Sequence, residues 1–309
     1  MLTSVGLGLL LAATPPTITP FAHGRKAAFS VEFDDAMESQ IKNAFPLLAQ
    51  YRIPATFYIV PDGGGYAQNR EIWEKKVPSL GHELGNHTMH HSDTVGAAQA
   101  EKEIGGAAKA IEQALGKPTL TPFAIPGGVK WEIPEEDFRR ILKESNTFFP
   151  GRGDFHWDGQ GDILRYPKAA LEKGSWGQIG FHGVGDQWLT TSVESLASLL
   201  AFLDAHRDEL WIAPTGTVWK YQREREAVQS VELTPEGENA FKLALRFEPG
   251  KLAPFELYNV PLTVRISLPS EWKKVWVLID GRKRQAAVRD ASLDIDVPPS
   301  AKSVRIERA

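Results

Sequence analysis

From Ala27 to about Val228 the chain alternates short apolar runs of β type with segments of helical period. AAFSVEF (Ala27–Phe33), ATFYIV (Ala55–Val60), TLTPFAI, GQIGFH and ELWIAP are the β-type runs. Helical patterns lie between them, around Ile41–Gln50, around Trp73–Leu80, over Thr94–Leu115, and in PEEDFRRILKES and VESLASLLAFLDAHRDE. The Thr94–Leu115 segment runs into Gly116-Lys117-Pro118, a helix stop. Such alternation predicts an α/β domain with a mainly parallel sheet or barrel over residues 25–228. Beyond Gln229 the period changes to two. FKLALRFE, PLTVRISL, KVWVLID, SLDIDV and SVRIE alternate apolar and polar residues between the turn signals EPGK, LPSE and DGRKR. Residues 229–309 are therefore expected to form a small antiparallel β domain of sandwich type.

The 309 residues suit one large domain and one small one. A formal net charge of −4 gives no reason to expect nucleic acid or an anionic membrane as partner. Cysteine is absent, so a metal would have to be held by imidazole and carboxylate groups. Residues 1–24 read as a leader: an apolar run, Val5–Ala13, precedes small residues and prolines. That predicts export to the periplasm or beyond. No Lys or Arg precedes the run, which keeps a cytoplasmic location as the alternative. No segment reaches the roughly 18 apolar residues of a membrane span.

Within the α/β pattern, four of the eight histidines fall between His82 and His91, in GHELGNHTMHH. His87 and His91, four apart, would share one face of a helical turn and so reach one metal. His90, three from His87, offers a competing pair, and His82 lies too far back for either. Upstream, the run FSVEF ends in Asp34-Asp35, at the carboxyl end of an expected strand, where α/β folds gather ligands and catalytic groups. Adjacent residues leaving a strand point apart, so one acid can ligate while its neighbour faces substrate. A helix-capping role for the pair is the alternative.

EFDDA (Glu32–Ala36) and HTMHH (His87–His91) together resemble the first two motifs of the NodB-homology polysaccharide deacetylases, carbohydrate esterase family 4, over roughly Ala27 to Ala227. The resemblance implies a distorted (β/α) barrel in which Asp35, His87 and His91 hold the metal and Asp34 is the general base. Thr88 would steady the histidine loop. The third motif, R-x-P-Y-G, falls at Ala124–Gly128: Pro126 and Gly128 match, whereas Ala124 replaces the arginine and Gly127 the tyrosine. Gly127 can still present a backbone N–H to an oxyanion. Arg152 or Arg165 would have to replace the missing charge, and Trp157 the aromatic fourth motif. IGFH (Ile179–His182) resembles the fifth motif and makes His182 the general acid.

Two imidazoles and one carboxylate leave a coordination position open, the pattern of a catalytic rather than a structural site. Zn²⁺ is the ion the family implies, and the same donors accept Co²⁺, Ni²⁺ or Mn²⁺. The implied substrate is an acetylated carbohydrate, N- or O-acetylated. Two alternatives stand beside it. One is hydrolysis of a non-peptide C–N bond in a small molecule, suggested by the altered third motif. The other is a catalytically decayed, sugar-binding envelope protein.

Overall fold

In the computed structural model, which describes residues 14–151, 157, 159–251 and 257–309, the sheet at the centre of the α/β unit is parallel throughout. Its strands are β1 (Ala27–Asp34), β2 (Thr56–Ile59), β3 (Glu83–Asn86), β4 (Trp176–Phe181) and β5 (Leu210–Ile212). Every residue of β1 is buried, yet its two faces differ. Phe29, Val31 and Phe33 join Phe57, Ile59, Ile179 and Phe181 in the main hydrophobic core. Phe33 stacks on Phe57 with ring centroids 4.9 Å apart. Leu48 of α1 (Phe45–Tyr51) and Leu196, Leu199, Leu200 and Leu203 of α2 (Val193–Ala205) cover that face. Burial of each such leucine stabilises the fold by about 1.5–3 kcal/mol.

Ser30, Glu32 and Asp34 occupy the opposite face, the period-two consequence of a pleated strand. Glu32 Oε1 there accepts from Gln178 Nε2 at 2.8 Å and from Thr215 Oγ1 at 2.7 Å. Thr56 Oγ1 donates to Glu83 Oε2 at 2.9 Å, and the same oxygen accepts from the Gly216 backbone N–H at 2.8 Å. The first residues of α3 (Thr215–Ala227) are thus tied to two carboxylates. Desolvation raises the Glu83 carboxyl above its ordinary range, and the neighbouring Glu32 charge adds to the rise.

The edges of β1 explain the shape of this sheet. β4 pairs along one edge from Ala28 to Phe33. The other edge is divided: β5 lies opposite Ala27–Phe29 and β2 opposite Glu32–Asp34, with β3 beyond β2. The ladders among the described residues stop there and do not by themselves trace a closed ring. Of the segment Thr94–Leu115, expected to be helical, residues 97–115 are so and end at Gly116 with φ +65°, a conformation glycine adopts without strain, whereas Thr94–Val95 pair in parallel with Trp131–Glu132.

Among the described residues, the second compact unit combines 14–24 with Arg223–Ala309, the first unit being Arg25–Gln222. Its strands are antiparallel. One sheet holds Thr17–Ile18, Leu262–Ser267 and Ser292–Val297. The other holds Val228–Pro235, Ala240–Phe247, Val304–Arg308, Lys274–Ile279 and Arg282–Ala287. Val264, Ile266, Leu293 and Ile295 from the first sheet share one core with Val275, Val277, Val304 and Ile306 from the second. That is the two-layer burial the alternating pattern calls for. Thr17–Ile18, downstream of the apolar run expected to act as a leader, pairs with Arg265 and Val264. The run itself lies outside the described residues. Among the described residues no helix is long and apolar enough to cross a membrane.

Candidate metal centre

Asp34 is the last residue of β1, and the chain then turns through Asp35 at φ +74° and Ala36 at φ +51°. Non-glycine residues seldom adopt such angles, and the cost, of order 1–3 kcal/mol each, is typical of functional turns. Gly65 closes over this turn, where a Cβ would lie 2.5 Å from the Ala36 carbonyl oxygen. Only glycine fits there. Gln40, fully buried, donates from Nε2 to the backbone carbonyls of Asp34 at 2.6 Å and His182 at 3.0 Å. It ties together the two strand ends that carry Asp34 and His182.

The histidine segment is not helical. After β3 ends at Asn86, residues 87–93 form a loop, with Thr88 at φ +67° and His91 at φ +52°. The helical face expected from the spacing of four is therefore not what brings the two imidazoles together; a specific loop does so. Thr88 N–H donates to Asn86 Oδ1 and His91 N–H to Thr88 Oγ1, both at 3.0 Å. Thr88 thus steadies the loop as expected. His90 faces away from the ligand set. Its Nδ1 lies 2.8 Å from Glu103 Oε1, its Nε2 3.1 Å from Asp62 Oδ2, and its backbone N–H donates to Glu103 Oε2 at 2.9 Å. His82 is a core residue: its Nδ1 accepts from Ala55 N–H at 3.1 Å, and burial pushes its pKa down to about 4.

One donor atom from each of Asp35, His87 and His91 lies within 4.8 Å of the others. Asp35 Oδ1 is 3.5 Å from His87 Nε2 and 3.6 Å from His91 Nε2. Asp35 Oδ2 is 3.6 Å from His182 Nε2. His87 Nδ1 sits 3.0 Å from the Ala124 carbonyl oxygen. A carbonyl only accepts, so the ring proton belongs on Nδ1 and Nε2 presents its lone pair. That Nε2 is buried and has no hydrogen-bond partner. An unpartnered buried nitrogen costs about 1–3 kcal/mol unless something else satisfies it, and a cation would. Burial also lowers the His87 pKa, opposed by the charges of Asp34 and Asp35, so the imidazole is held neutral, as a ligand must be. The donor set fits a divalent cation.

Asp34 is nearly buried, and its charge acts on His87. Gly127 occupies an exposed turn three residues beyond Ala124, with nothing near the position a Cβ would take. Ala124, standing where the family has arginine, orients the His87 ring through its backbone carbonyl. Arg165 lies over the Tyr166 ring at 4.9 Å and the Trp157 ring at 5.8 Å. Trp157 is a buried side chain of the main core, edge-on to the Tyr166 ring at 6.2 Å. Arg152 lies outside the described residues. Sequence reasoning did not single out Gln40, Glu103 or Trp188. Trp188 stands 5.0 Å from the His182 ring, with the planes at 82°.

Residues 23–145 match the family model for polysaccharide deacetylase. A chitooligosaccharide deacetylase from Sinorhizobium fredii is 33% identical over 85 residues, which are 27% of this chain and 38% of that protein. A peptidoglycan-N-acetylglucosamine deacetylase from Bacillus cereus is 32% identical over 102 residues, 32% of this chain and 46% of that protein. A gellan lyase from Bacillus is 21% identical over 295 residues, covering 82% of this chain but 12% of the lyase. The matched region thus spans less than half the length of each of these relatives. The motifs and the family match agree: residues 23–145 of the chain are similar to the NodB-homology polysaccharide deacetylases, carbohydrate esterase family 4.

Proposed function

We propose that the protein is a metal-dependent hydrolase that removes acetyl groups from an acetylated carbohydrate, with an acetamido sugar as the favoured substrate. The observation that carries this reading is the convergence of Asp35, His87 and His91 beside His182, with His87 Nε2 buried and unpartnered. The two deacetylases of N-acetylated sugars among the relatives support an amide over an ester.

Asp35, His87 and His91 would hold a divalent cation, Zn²⁺ by family likeness, which would supply Lewis-acid polarisation of the acyl group and a lowered pKa for water. Asp34 takes the proton as water attacks the acetyl carbon. The Gly127 N–H donates to the oxyanion that forms, a contact typically worth about 2.7–4 kcal/mol. His182 gives its proton to the sugar nitrogen as the C–N bond breaks, releasing acetate and a free amine. Gln40 keeps acid and base in register by holding both strand ends. The strands are read as a distorted barrel. The bridge Asn86 to Phe123, the ladder Thr121–Pro122 with Thr147–Phe148, and the bond from Trp157 N–H to the Gly180 carbonyl support that closure. The polymeric substrate class agrees with export, to which the run Val5–Ala13 would direct the chain.

The altered third motif favours one competitor, hydrolysis of a C–N bond in a small molecule. A panel separates the two: acetate release from chitooligosaccharides, peptidoglycan and acetylxylan, with and without chelator, beside the metal content of the protein. Deacetylation should stop with chelator and return with Zn²⁺. Asp34→Asn should keep its metal yet lose about 10²–10⁴-fold in turnover. Metal-loaded protein that frees no acetate from any glycan would overturn the reading.

A further inference from the structure

The loop after β4 presents two adjacent large apolar side chains to solvent. Trp188 is 59% exposed and its neighbour Leu189 is 48% exposed. Single exposed hydrophobics are common and need no explanation, but this pair is held out by a closely built loop. Gln187 at φ +71° and Leu189 at φ +45° flank Trp188, both in the left-handed region that non-glycine residues avoid. Gly183 N–H donates to the Trp188 carbonyl at 3.1 Å, Thr191 N–H to the Gly183 carbonyl at 2.9 Å, and Gly185 N–H to the Thr191 carbonyl at 2.7 Å. Ser39 N–H donates to Gln187 Oε1 at 2.7 Å, and Asn43 Nδ2 to the Val184 carbonyl at 2.6 Å. A Cβ on Gly183 would lie 2.3 Å from the Asp186 carbonyl oxygen. Backbone strain, a glycine-only approach and two side-chain clasps all serve to fix an indole in solvent. Such strain persists where the surroundings enforce it and clusters at ligand clamps.

The place where the indole is held gives it a purpose. Its ring stands 5.0 Å from that of His182, edge to face. Any group that receives a proton from His182 therefore lies beside Trp188. In the deacetylase reading that group is the nitrogen on a pyranose ring, and a pyranose has an apolar face of C–H bonds that suits a flat aromatic surface. We propose that Trp188 is the stacking platform for the sugar that carries the acetyl group, with Leu189 extending the apolar surface. It selects a ring-bearing amide over a small open-chain one. The proposal rests on the deacetylase reading.

The test is calorimetric titration of chitotetraose into metal-loaded Asp34→Asn protein, in which slow turnover leaves the ligand intact. Trp188→Ala in that background should weaken binding on the order of 10-fold or more, the scale of an anchoring aromatic, and Trp188→Phe should restore most of it. Trp188 is exposed, so neither variant endangers folding. Equal affinity with and without the indole overturns the platform while leaving the deacetylase intact. No binding by the parent, together with no acetate release from the glycan panel, overturns the deacetylase reading and the platform with it.

Discussion

The parallel strands carry two groups of ionisable side chains, and the two are finished differently. Near the amino ends of β2 and β3, the Glu83 carboxylate receives hydrogen bonds from Thr56 and Gly216, and Thr215 joins Glu32 to the same network. At the carboxyl ends, His87 has one nitrogen on a carbonyl and the other buried with no partner, facing Asp35 and His91. Both groups sit in a low-dielectric setting where polar atoms are costly. Glu83 Oε2 is filled from within the chain, and its bonds hold the start of α3; the Nε2 lone pair of His87 is left for a ligand. Burial and charge alone do not separate a structural network from a reactive one; a buried imidazole lone pair facing a carboxylate and a second imidazole does.

Emptying the unfilled group should have the largest effect. His87→Ala is expected to bring bound metal and acetate release to background by elemental analysis and acetate assay. Stoichiometric metal in that variant would mean that His87 is not a ligand and would erase the contrast.

Disturbing the filled group should cost stability instead. A Cβ at Gly216 would lie 2.0 Å from Glu83 Oε1. The carboxylate cannot swing aside without giving up its bonds to Thr56 and Gly216. Gly216→Ala should therefore lose about 1–3 kcal/mol of stability, a fall in Tm of roughly 2–10 °C by calorimetry. Metal binding should persist. An unchanged Tm would show that the network around Glu83 is loose.

The smallest expected effect depends on pH. Desolvation chiefly raises the folded-state pKa of Glu83 above its ordinary 4.5, so the folded chain binds this proton more tightly than the unfolded chain does. Stability from this group is intact below about pH 4.5, falls as pH rises into the window above it, and stays reduced beyond the raised value. Glu83→Gln keeps an acceptor for Thr56 and Gly216 but cannot ionise. Its Tm advantage over the parent should be absent at acid pH and grow towards neutrality. A pH-independent difference would assign the effect to packing.

The residues that converge, Asp35, His87, His91 and His182, were legible in the sequence through the strand ends and the resemblance of their motifs to the family's. The geometry that joins them was not. His87 and His91 look like a helical pair by spacing, yet the positive φ of Thr88 and His91 makes a loop, and no propensity scale anticipates a left-handed threonine. Gln40 acts through backbone carbonyls distant in sequence, and Trp188 is a lone aromatic between polar residues; neither leaves a periodic trace. The change of period near Gln229 marked the β strands well. Thr17–Ile18 was not read as a strand because two residues carry no period at all.

That short strand has a consequence for synthesis. Thr17, among the first described residues to leave the ribosome, finds its partner Arg265 only when nearly the whole chain has been made. The segment that supplies the deacetylase motifs can fold in sequence order, strand by strand, whereas the β unit must wait for its far end and carries the entropy of closing so long a loop. An early chain thus keeps an unpaired edge until its last strands arrive. This makes the amino-terminal stretch the place where a chaperone has the longest time to act.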